Sequence, residues 1–205
     1  MFQFKQFSVE DSRSSMKVGT DAVLLGAWAT QSHSQGHRLL DIGTGCGVVA
    51  LMLAQQYPEA HVDAIDIDLP SVEQAADNFR RSPWPERLQA IHAPLQAYEA
   101  APYDLIVSNP PYFTASLRNP DPRRAQARHS DLLPIPDLLC HARRLLTPEG
   151  RLSVILPLAE AQTLVDKAPS FGLHLWGSLL VRNREDLPPK RRILTLSPAA
   201  APKSY

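Results

Sequence analysis

Short apolar runs alternate with segments of helical periodicity along most of the chain, and this alternation predicts an α/β fold. Strands are expected where the apolar runs lie, at residues 38–42, 61–65, 88–92, 103–108 and 151–156. Between them, the clearest helix is predicted to run through Arg80 from Ser71, its expected N-cap. Strands that alternate with helices are typical of a parallel sheet. We therefore expect a Rossmann-like, doubly wound and mostly parallel sheet of about seven strands.

The two ends of the chain depart from this alternation. Residues 1–10 predict a short strand or hairpin arm, and Thr20 or Asp21 can cap the helix that follows. A turn is predicted at residues 147–150. Further on, residues 173–181 and 191–196 predict an antiparallel hairpin that closes the sheet. We expect one domain over residues 1–205, made of an N-terminal extension, 1–30, and a core, 31–198.

Composition places the chain among ordinary globular proteins. Of the 205 residues, 44% are hydrophobic and 20% are charged, and no apolar run reaches the ~18 residues of a membrane span. The N-terminus does not have the pattern of a signal peptide. Cys46 and Cys140 lie far apart and provide neither a disulfide framework nor a metal-ligand spacing. These features predict a reduced, cytoplasmic setting and no metal.

Charge is unevenly distributed although the formal net charge is zero. Residues 59–104 carry nine acids and three arginines, residues 118–144 six arginines and three acids, and residues 182–192 five bases and two acids. One proline-rich loop contains four of these arginines, Arg118, Arg123, Arg124 and Arg128. It is interpreted either as a solvated connection or as a flap that contacts phosphate groups.

A glycine-rich turn follows the first predicted strand of the core. Gly43, Gly45 and Gly47 alternate with Thr44 and Cys46, and a helix is expected from Val48. A dinucleotide-binding fingerprint would need glycine or alanine at the position of Val48, which argues against a nicotinamide cofactor. The alternating glycines after Asp41 are instead similar to the cofactor loop of S-adenosylmethionine enzymes. Asp41 is expected to hold the ammonium group of the methionine moiety through water.

Residues at the ends of the next two strands are candidates for binding the ribose and the adenine of the cofactor. Asp66 is placed to accept both ribose hydroxyls, with Asp68 as the second choice and a solvated acidic strand end as the alternative. After the following strand, many such enzymes have an acid that binds the adenine amino group, but this chain has Pro94 there. Adenine recognition is then expected from the backbone, from Gln96 or from water.

Asn109, Pro110, Pro111 and Tyr112 follow the fourth predicted strand of the core. Adjacent prolines stiffen the backbone and donate no hydrogen bonds, so the Asn109 side chain and the Pro110 carbonyl can both accept from an exocyclic amino group. Tyr112 offers a face on which a planar ring can stack. The alternative is a proline-rich loop with a structural tyrosine. Because carboxyl ends of parallel strands share one edge, we expect this motif to lie beside the glycine loop.

Together these motifs give the chain a family resemblance. It resembles the bacterial tRNA1(Val) adenine-37 N6-methyltransferases, within the class I S-adenosylmethionine-dependent family, from near its start to about Pro198. The resemblance rests on residues 4–7, 16–21, 24–28, 40–43, 82–84, 108–112 and 126–128. Family members continue past the last strand into a tyrosine-rich helical tail, which has no counterpart before Tyr205.

The resemblance implies S-adenosylmethionine as cofactor, N6 of a tRNA adenine as methyl acceptor, and a monomer. The implied catalytic residues are Asn109, Pro110, Pro111 and Tyr112. The implied cofactor contacts are Lys17, Thr20, Asp21, Asp41, Gly43, Gly45, Gly47, Asp66, Ile67, Leu95 and Asn109, some of them in the N-terminal extension that flanks cofactor and substrate. The implied tRNA contacts are Tyr112, Arg123, Arg124 and Arg128.

Other functions remain open at the level of sequence. Adenine in DNA, guanine N2 in RNA and a glutamine side chain all present a conjugated amino group to the same four residues, 109–112. The arginine-rich loop favours a polyanion over a protein amide. Outside the methyltransferases, the alternatives are a nicotinamide oxidoreductase, which Val48 disfavours, and an RNA-binding module without catalytic activity.

Overall fold

A computed structural model describes residues 1–32, 36–110 and 133–200 of the chain. A seven-stranded sheet has the order β5-β4-β3-β6-β7-β9-β8, and a small two-stranded hairpin, β1-β2, precedes it. The strands are β1 (Phe2–Gln3), β2 (Ser8–Val9), β3 (Arg38–Ile42), β4 (His61–Asp66), β5 (Leu88–His92), β6 (Tyr103–Ser108), β7 (Leu146–Pro157), β8 (His174–Val181) and β9 (Arg191–Ser197). The helices are α1 (Thr20–Ser32), α2 (Val48–Gln56), α3 (Leu69–Arg80), α4 (Ile135–Leu145) and α5 (Leu158–Lys167), with short 3₁₀ turns at Pro85–Arg87, Leu95–Ala97 and Ala168–Phe171.

The sheet has the predicted doubly wound topology. Strands β5, β4, β3, β6 and β7 are parallel to one another, and β9 runs antiparallel to both of its neighbours, β7 and β8. From β3 the chain moves outward through β4 to β5, and then returns to place β6 on the other side of β3. The strand order therefore reverses between β3 and β6. In open parallel sheets, this switch point is where ligands bind.

Two apolar layers cover the sheet. Consecutive strand residues point to opposite faces, so Leu39 packs in the layer formed by α1, α2 and α3, whereas Leu40 packs with α4 and α5. Both residues are fully buried. No helix in the described ranges is long and apolar enough to cross a membrane.

The structure changes the local expectation of a turn at residues 147–150. These residues belong to β7, where the pairing with β6 jumps from Tyr103↔Leu146 to Leu105↔Arg151. The turn-forming residues therefore produce a bulge inside a strand and not a turn between two elements. Gly150 is needed there because a Cβ atom would lie 2.9 Å from the Tyr103 carbonyl oxygen.

Candidate active site

The carboxyl ends of β3 and β6 lie side by side, as the sequence predicts. Ile42 pairs with Ser108, and the Ser108 hydroxyl donates to the Ile42 carbonyl oxygen at 3.0 Å. Because Ser108 is fully buried, this bond holds the two strand ends in a fixed relation. The next residues on the two strands, Gly43 and Asn109, consequently open into the same pocket.

The three glycines of the loop have different functions. All have positive φ angles, 70° at Gly43, 56° at Gly45 and 84° at Gly47, which L side chains rarely adopt. A Cβ atom at Gly43 would meet no atom within 4 Å, whereas one at Gly47 would lie 2.5 Å from Cε1 of Phe79. Gly43 therefore leaves open space beside the pocket, and Gly47 allows the loop to pack against α3.

Asp41 is a buried acid at the base of the pocket. Its side chain is 2% exposed, and Oδ2 accepts from the Thr44 hydroxyl at 2.7 Å and from the Ala50 amide at 3.2 Å. Burial raises the pKa of Asp41 to about 7, since desolvation disfavours the charged form more than these hydrogen bonds favour it. A cation in the pocket would stabilise the ionised form.

The structure separates the functions of the two acids after β4. Asp66 accepts from the Gly45 amide through Oδ2 at 2.8 Å and from the Asp68 amide through Oδ1 at 2.9 Å, and burial raises its pKa. Asp68 is the N-cap of α3 and accepts from the Ser71 amide and hydroxyl at 3.1 and 2.6 Å. Ser71 is thus not the helix cap that its sequence position predicts. Since Asp68 is occupied by capping, Asp66 is the acid that borders the glycine loop.

Asn109 has a side-chain oxygen without a partner in the described part of the chain. Its Oδ1 atom is buried, yet no hydrogen bond reaches it. A buried acceptor left unpaired is destabilising by about 1–3 kcal/mol and calls for an explanation. The lining of the pocket comprises Met16, Lys17, Ala22, Asp41, Gly43, Thr44, Gly45, Cys46, Val48, Val49 and Asn109. Asn109 thus combines a place in the pocket lining with a buried acceptor that no described group satisfies.

An N-terminal strap, residues 10–17, forms one wall of the pocket. The Lys17 ammonium donates to the carbonyl oxygens of Asp11, Ser12 and Ser14, which curls the strap back on itself. Asn78 on α3 holds the strap through its contacts with both backbone groups of Glu10. The resemblance implies Lys17 as a contact, but the sequence gives no sign of the partners of the strap on α3, because contacts between residues more than fifty positions apart produce no periodic signal.

Comparisons with known proteins agree with this geometry. The family model of the methyltransferase small domain matches residues 12–167. A protein of Parabacteroides distasonis named tRNA1(Val) (adenine(37)-N6)-methyltransferase is 48% identical over 208 residues, which cover 99% of this chain and 86% of that protein. A protein of the same name from Aeromonas salmonicida is 46% identical, over 95% of this chain and 82% of that protein. The chain belongs to this methyltransferase family.

A solved structure shows the same fold. The T. thermophilus 16S rRNA N2 G1207 methyltransferase, in complex with AdoMet and guanosine, superposes with a TM-score of 0.63 at 21% identity, over 90% of this chain and 44% of that one. The present chain is thus a methyltransferase, and its cofactor is S-adenosylmethionine. Two features of the pocket suit that cofactor: open space beside Gly43 and a buried carboxyl group, that of Asp41, in its lining.

Several predicted cofactor contacts of the methyltransferase lie outside the described pocket lining. Thr20 is exposed at the start of α1, and the Asp21 carboxylate accepts from Arg191 Nε at 2.9 Å. Leu95 is 3% exposed within the core, whereas Ile67 is 43% exposed at the end of β4. Their cofactor contacts stay predictions.

The remaining predicted residues divide between those that the structure describes and those it does not. Pro110 is buried directly after Asn109. The Gln96 amide, considered for adenine recognition, donates to Asp137 at 3.0 Å. Pro111, Tyr112, Arg118, Arg123, Arg124 and Arg128 lie outside the described residues.

Proposed function

We propose that this methyltransferase methylates N6 of an adenine in tRNA, at position 37 in the anticodon loop of a valine tRNA. The observation that carries the proposal is the buried Asn109 Oδ1 atom, which has no hydrogen-bond partner among the described residues and lies beside the glycine loop. An exocyclic amino group is a donor that suits such an acceptor. The two relatives named for this reaction support the choice of tRNA.

The chain's own groups would activate the amino nitrogen. Its lone pair is delocalised into the adenine ring, which makes it a poor nucleophile. Asn109 Oδ1 and the Pro110 carbonyl oxygen each accept from one amino hydrogen, and this draws the nitrogen toward tetrahedral geometry. The lone pair becomes available, the nitrogen–methyl bond forms as the sulfur–methyl bond breaks and S-adenosylhomocysteine leaves, and the nitrogen then loses a proton to water. No dedicated base is needed, because the methylated cation is acidic.

The residues around the pocket would orient the two reactants. S-adenosylmethionine supplies an electrophilic methyl group when bound. Asp41 would hold its ammonium group, Asp66 its ribose hydroxyls, and Gly43 would allow its close approach to the backbone. Positioning of this kind supplies most of the rate enhancement when no covalent or acid–base chemistry is needed. The further cofactor contacts would be those of Lys17, Thr20, Asp21, Gly45, Gly47, Ile67, Leu95 and Asn109.

The target base would leave its stack before reaction. Extrusion of a base requires a few kcal/mol in a duplex and less in an unpaired loop, which favours an anticodon loop as target. Tyr112 would stack on the extruded adenine, and this is worth about 1–3 kcal/mol. Arg123, Arg124 and Arg128 would contact phosphate groups. We also propose that residues 1–205 form one domain and act as a monomer.

The test is a methylation assay with labelled S-adenosylmethionine and a valine tRNA transcript. Wild-type protein should yield N6-methyladenosine at position 37, as located by nuclease mapping and mass spectrometry. The Asn109→Ala variant should lose about a hundredfold in kcat, comparable with loss of one group that stabilises a transition state. Unchanged kcat in this variant would remove Asn109 from the mechanism.

Matched substrates separate the proposal from its rivals. A transcript with guanine at position 37 should receive no label, and neither should a DNA oligonucleotide of the anticodon-arm sequence. Label in guanosine would favour an N2 methyltransferase instead. Cofactor binding by calorimetry, without any tRNA, distinguishes all these enzymes from an inert RNA-binding module, for which no heat is expected.

A further inference from the structure

We infer that the β8–β9 turn, residues 182–190, together with the start of β9, forms a second contact surface for the phosphate backbone of the RNA substrate. The inference rests on the proposed function, because it assumes an RNA substrate. It concerns a different part of the chain from the arginine-rich loop after Tyr112, and it follows from the position, charge and exposure of the turn.

Sheet register places the turn at the active-site edge. In the antiparallel pair of β7 and β9, Pro157 lies opposite Arg191, whereas in the parallel pair of β6 and β7, Ser108 lies opposite Val154. Arg191 therefore lies three residues, or about 10 Å, beyond the level of Ser108 in the direction in which Asn109 leaves the sheet. Laterally, β9 is two strands from β6, again about 10 Å.

A side-chain ion pair connects the turn to the wall of the pocket. Arg191 Nε donates to Asp21 Oδ2 at 2.9 Å, and both side chains are about three-quarters shielded from solvent. Asp21 belongs to the first turn of α1, and its neighbour Ala22 lines the pocket. The start of β9 is thus fixed relative to the methyl-transfer site.

The turn presents cations to solvent. Residues 182–192 contain five bases and two acids, a net formal charge of +3. One acid, Asp186, is already paired with Arg184 at 3.0 Å. Arg182 and Lys190 are both exposed. In the described structure, the Arg182 guanidinium makes a long 3.3 Å hydrogen bond to the Glu185 carbonyl oxygen and no ion pair, and the Lys190 ammonium makes neither a hydrogen bond nor an ion pair. Neither cation is therefore neutralised by an acid of the described fold.

The backbone holds this charge in a stiff frame. The Lys190 amide donates to the Val181 carbonyl oxygen at 2.9 Å, which closes the turn. Pro188 and Pro189 restrict the chain just before Lys190. A preorganised row of exposed cations fits a polyanion, because each neutralised phosphate releases condensed counterions. An RNA whose target base occupies the pocket carries phosphates within the 10–20 Å that separate the turn from Asn109.

The test compares two double variants that remove the same charges. Arg182→Ala/Lys190→Ala alters the turn. Arg143→Ala/Lys167→Ala alters exposed bases at the C-terminal ends of α4 and α5, at the opposite edge of the sheet. Affinity for a fluorescent valine tRNA transcript is measured by anisotropy between 50 and 200 mM salt. Calorimetry with S-adenosylmethionine, and kcat at saturating tRNA, are measured on the same proteins.

The turn variant should bind tRNA at least tenfold more weakly at 50 mM salt. The slope of log affinity against log salt concentration should be shallower by about 1.8. Raising the salt from 50 to 200 mM should therefore weaken the binding of this variant about twelvefold less than that of the wild type. Cofactor affinity and kcat should equal those of the wild type, and the opposite-edge variant should bind tRNA as the wild type does.

Two results would overturn the inference while leaving the proposed function intact. In the first, the turn variant retains methylation and binds tRNA with the affinity and salt slope of the wild type. In the second, both variants lose tRNA affinity equally, which would indicate unspecific electrostatic attraction. Absence of methylation of any tRNA by the wild-type protein would instead refute the proposed function.

Discussion

The Asn78 side-chain amide donates to the Cys46 carbonyl oxygen of the glycine loop at 2.8 Å. The same amide nitrogen donates to the Glu10 carbonyl oxygen at 2.7 Å, and Asn78 Oδ1 accepts from the Glu10 amide at 3.0 Å. Asn78 is fully buried. A single side chain therefore joins α3, the glycine loop and the strap, so that two walls of the cofactor pocket are fixed by the same residue.

We expect Asn78→Asp to weaken cofactor binding, since a carboxylate would face two carbonyl oxygens where the amide now donates. The KM for S-adenosylmethionine should rise about tenfold, the equivalent of one lost hydrogen bond of ~1.4 kcal/mol, with kcat nearly unchanged. Steady-state kinetics measure both constants, and circular dichroism checks that the variant is folded under the assay conditions.

Gln74→Ala is the matched control. Gln74 lies one turn earlier on α3 and also holds the strap, through the Ser12 hydroxyl and the Arg13 amide at 3.3 Å, but no hydrogen bond in the described structure joins it to the glycine loop. Its KM should stay within about twofold of the wild-type value. An equal rise in both variants would mean that the strap alone, and not the glycine loop, transmits the effect.

Replacing glycines of the loop should separate binding from stability. Gly43→Ala introduces a methyl group into open space, so the enzyme should fold with a loss of about 1 kcal/mol from the positive φ angle, yet lose most of its affinity for S-adenosylmethionine. Gly47→Ala adds a clash with Phe79 to the same strain and should lower stability by several kcal/mol. Urea unfolding and calorimetry measure the two effects. The interpretation fails if Gly43→Ala binds the cofactor as the wild type does.

The placement of the motifs was predictable from sequence, because parallel strands deliver their carboxyl ends to one edge. The predicted ends of two strands were therefore enough to predict that Gly43 lies next to Asn109. The cap of α3 was mispredicted, although Pro70 carried a usable signal: proline favours the first turn of a helix, which puts the start before it, at Asp68. The strap's polar contacts with α3 had no such signal, since they depend on tertiary packing alone.

Arg87 illustrates a structural function for a charge in the acidic part of the sequence. Its guanidinium donates to the carbonyl oxygens of Ala54, Tyr57 and Ala60 at 2.8–2.9 Å, where α2 ends and the chain turns toward β4. Last-turn carbonyls of a helix lack intrahelical partners, and a cation there also complements the helix dipole.

Arg87→Ala should lower the free energy of unfolding by about 2–3 kcal/mol, because these carbonyls lose charge-assisted hydrogen bonds. Chemical denaturation measures the change. Arg80→Ala is the control, since Arg80 is an exposed residue whose surface ion pair with Asp77 contributes little. Methylation at 15 °C should be unaffected in both. A loss no larger for Arg87→Ala than for Arg80→Ala would contradict the capping function.

Asp41 should make cofactor binding depend on pH. Its pKa of about 7 in the free protein means that the carboxyl group is largely protonated at pH 6 and ionised at pH 8. The cofactor's ammonium group favours the ionised form, so binding below pH 7 must be accompanied by proton release. The affinity for S-adenosylmethionine should therefore be about tenfold weaker at pH 6 than at pH 8.

Calorimetry with 5′-methylthioadenosine, which lacks the amino-acid moiety, provides the control. It should bind with nearly equal affinity at both pH values. In the Asp41→Asn variant, the affinity for S-adenosylmethionine should no longer depend on pH and should be weaker at pH 8 than that of the wild type. The stability of the free protein should follow the opposite course. Because folding raises this pKa from 3.8, the unfolded chain ionises first as pH rises, and the fold loses stability up to about pH 7 and then levels off. If both ligands lost affinity equally at pH 6, a group other than Asp41 would control the titration.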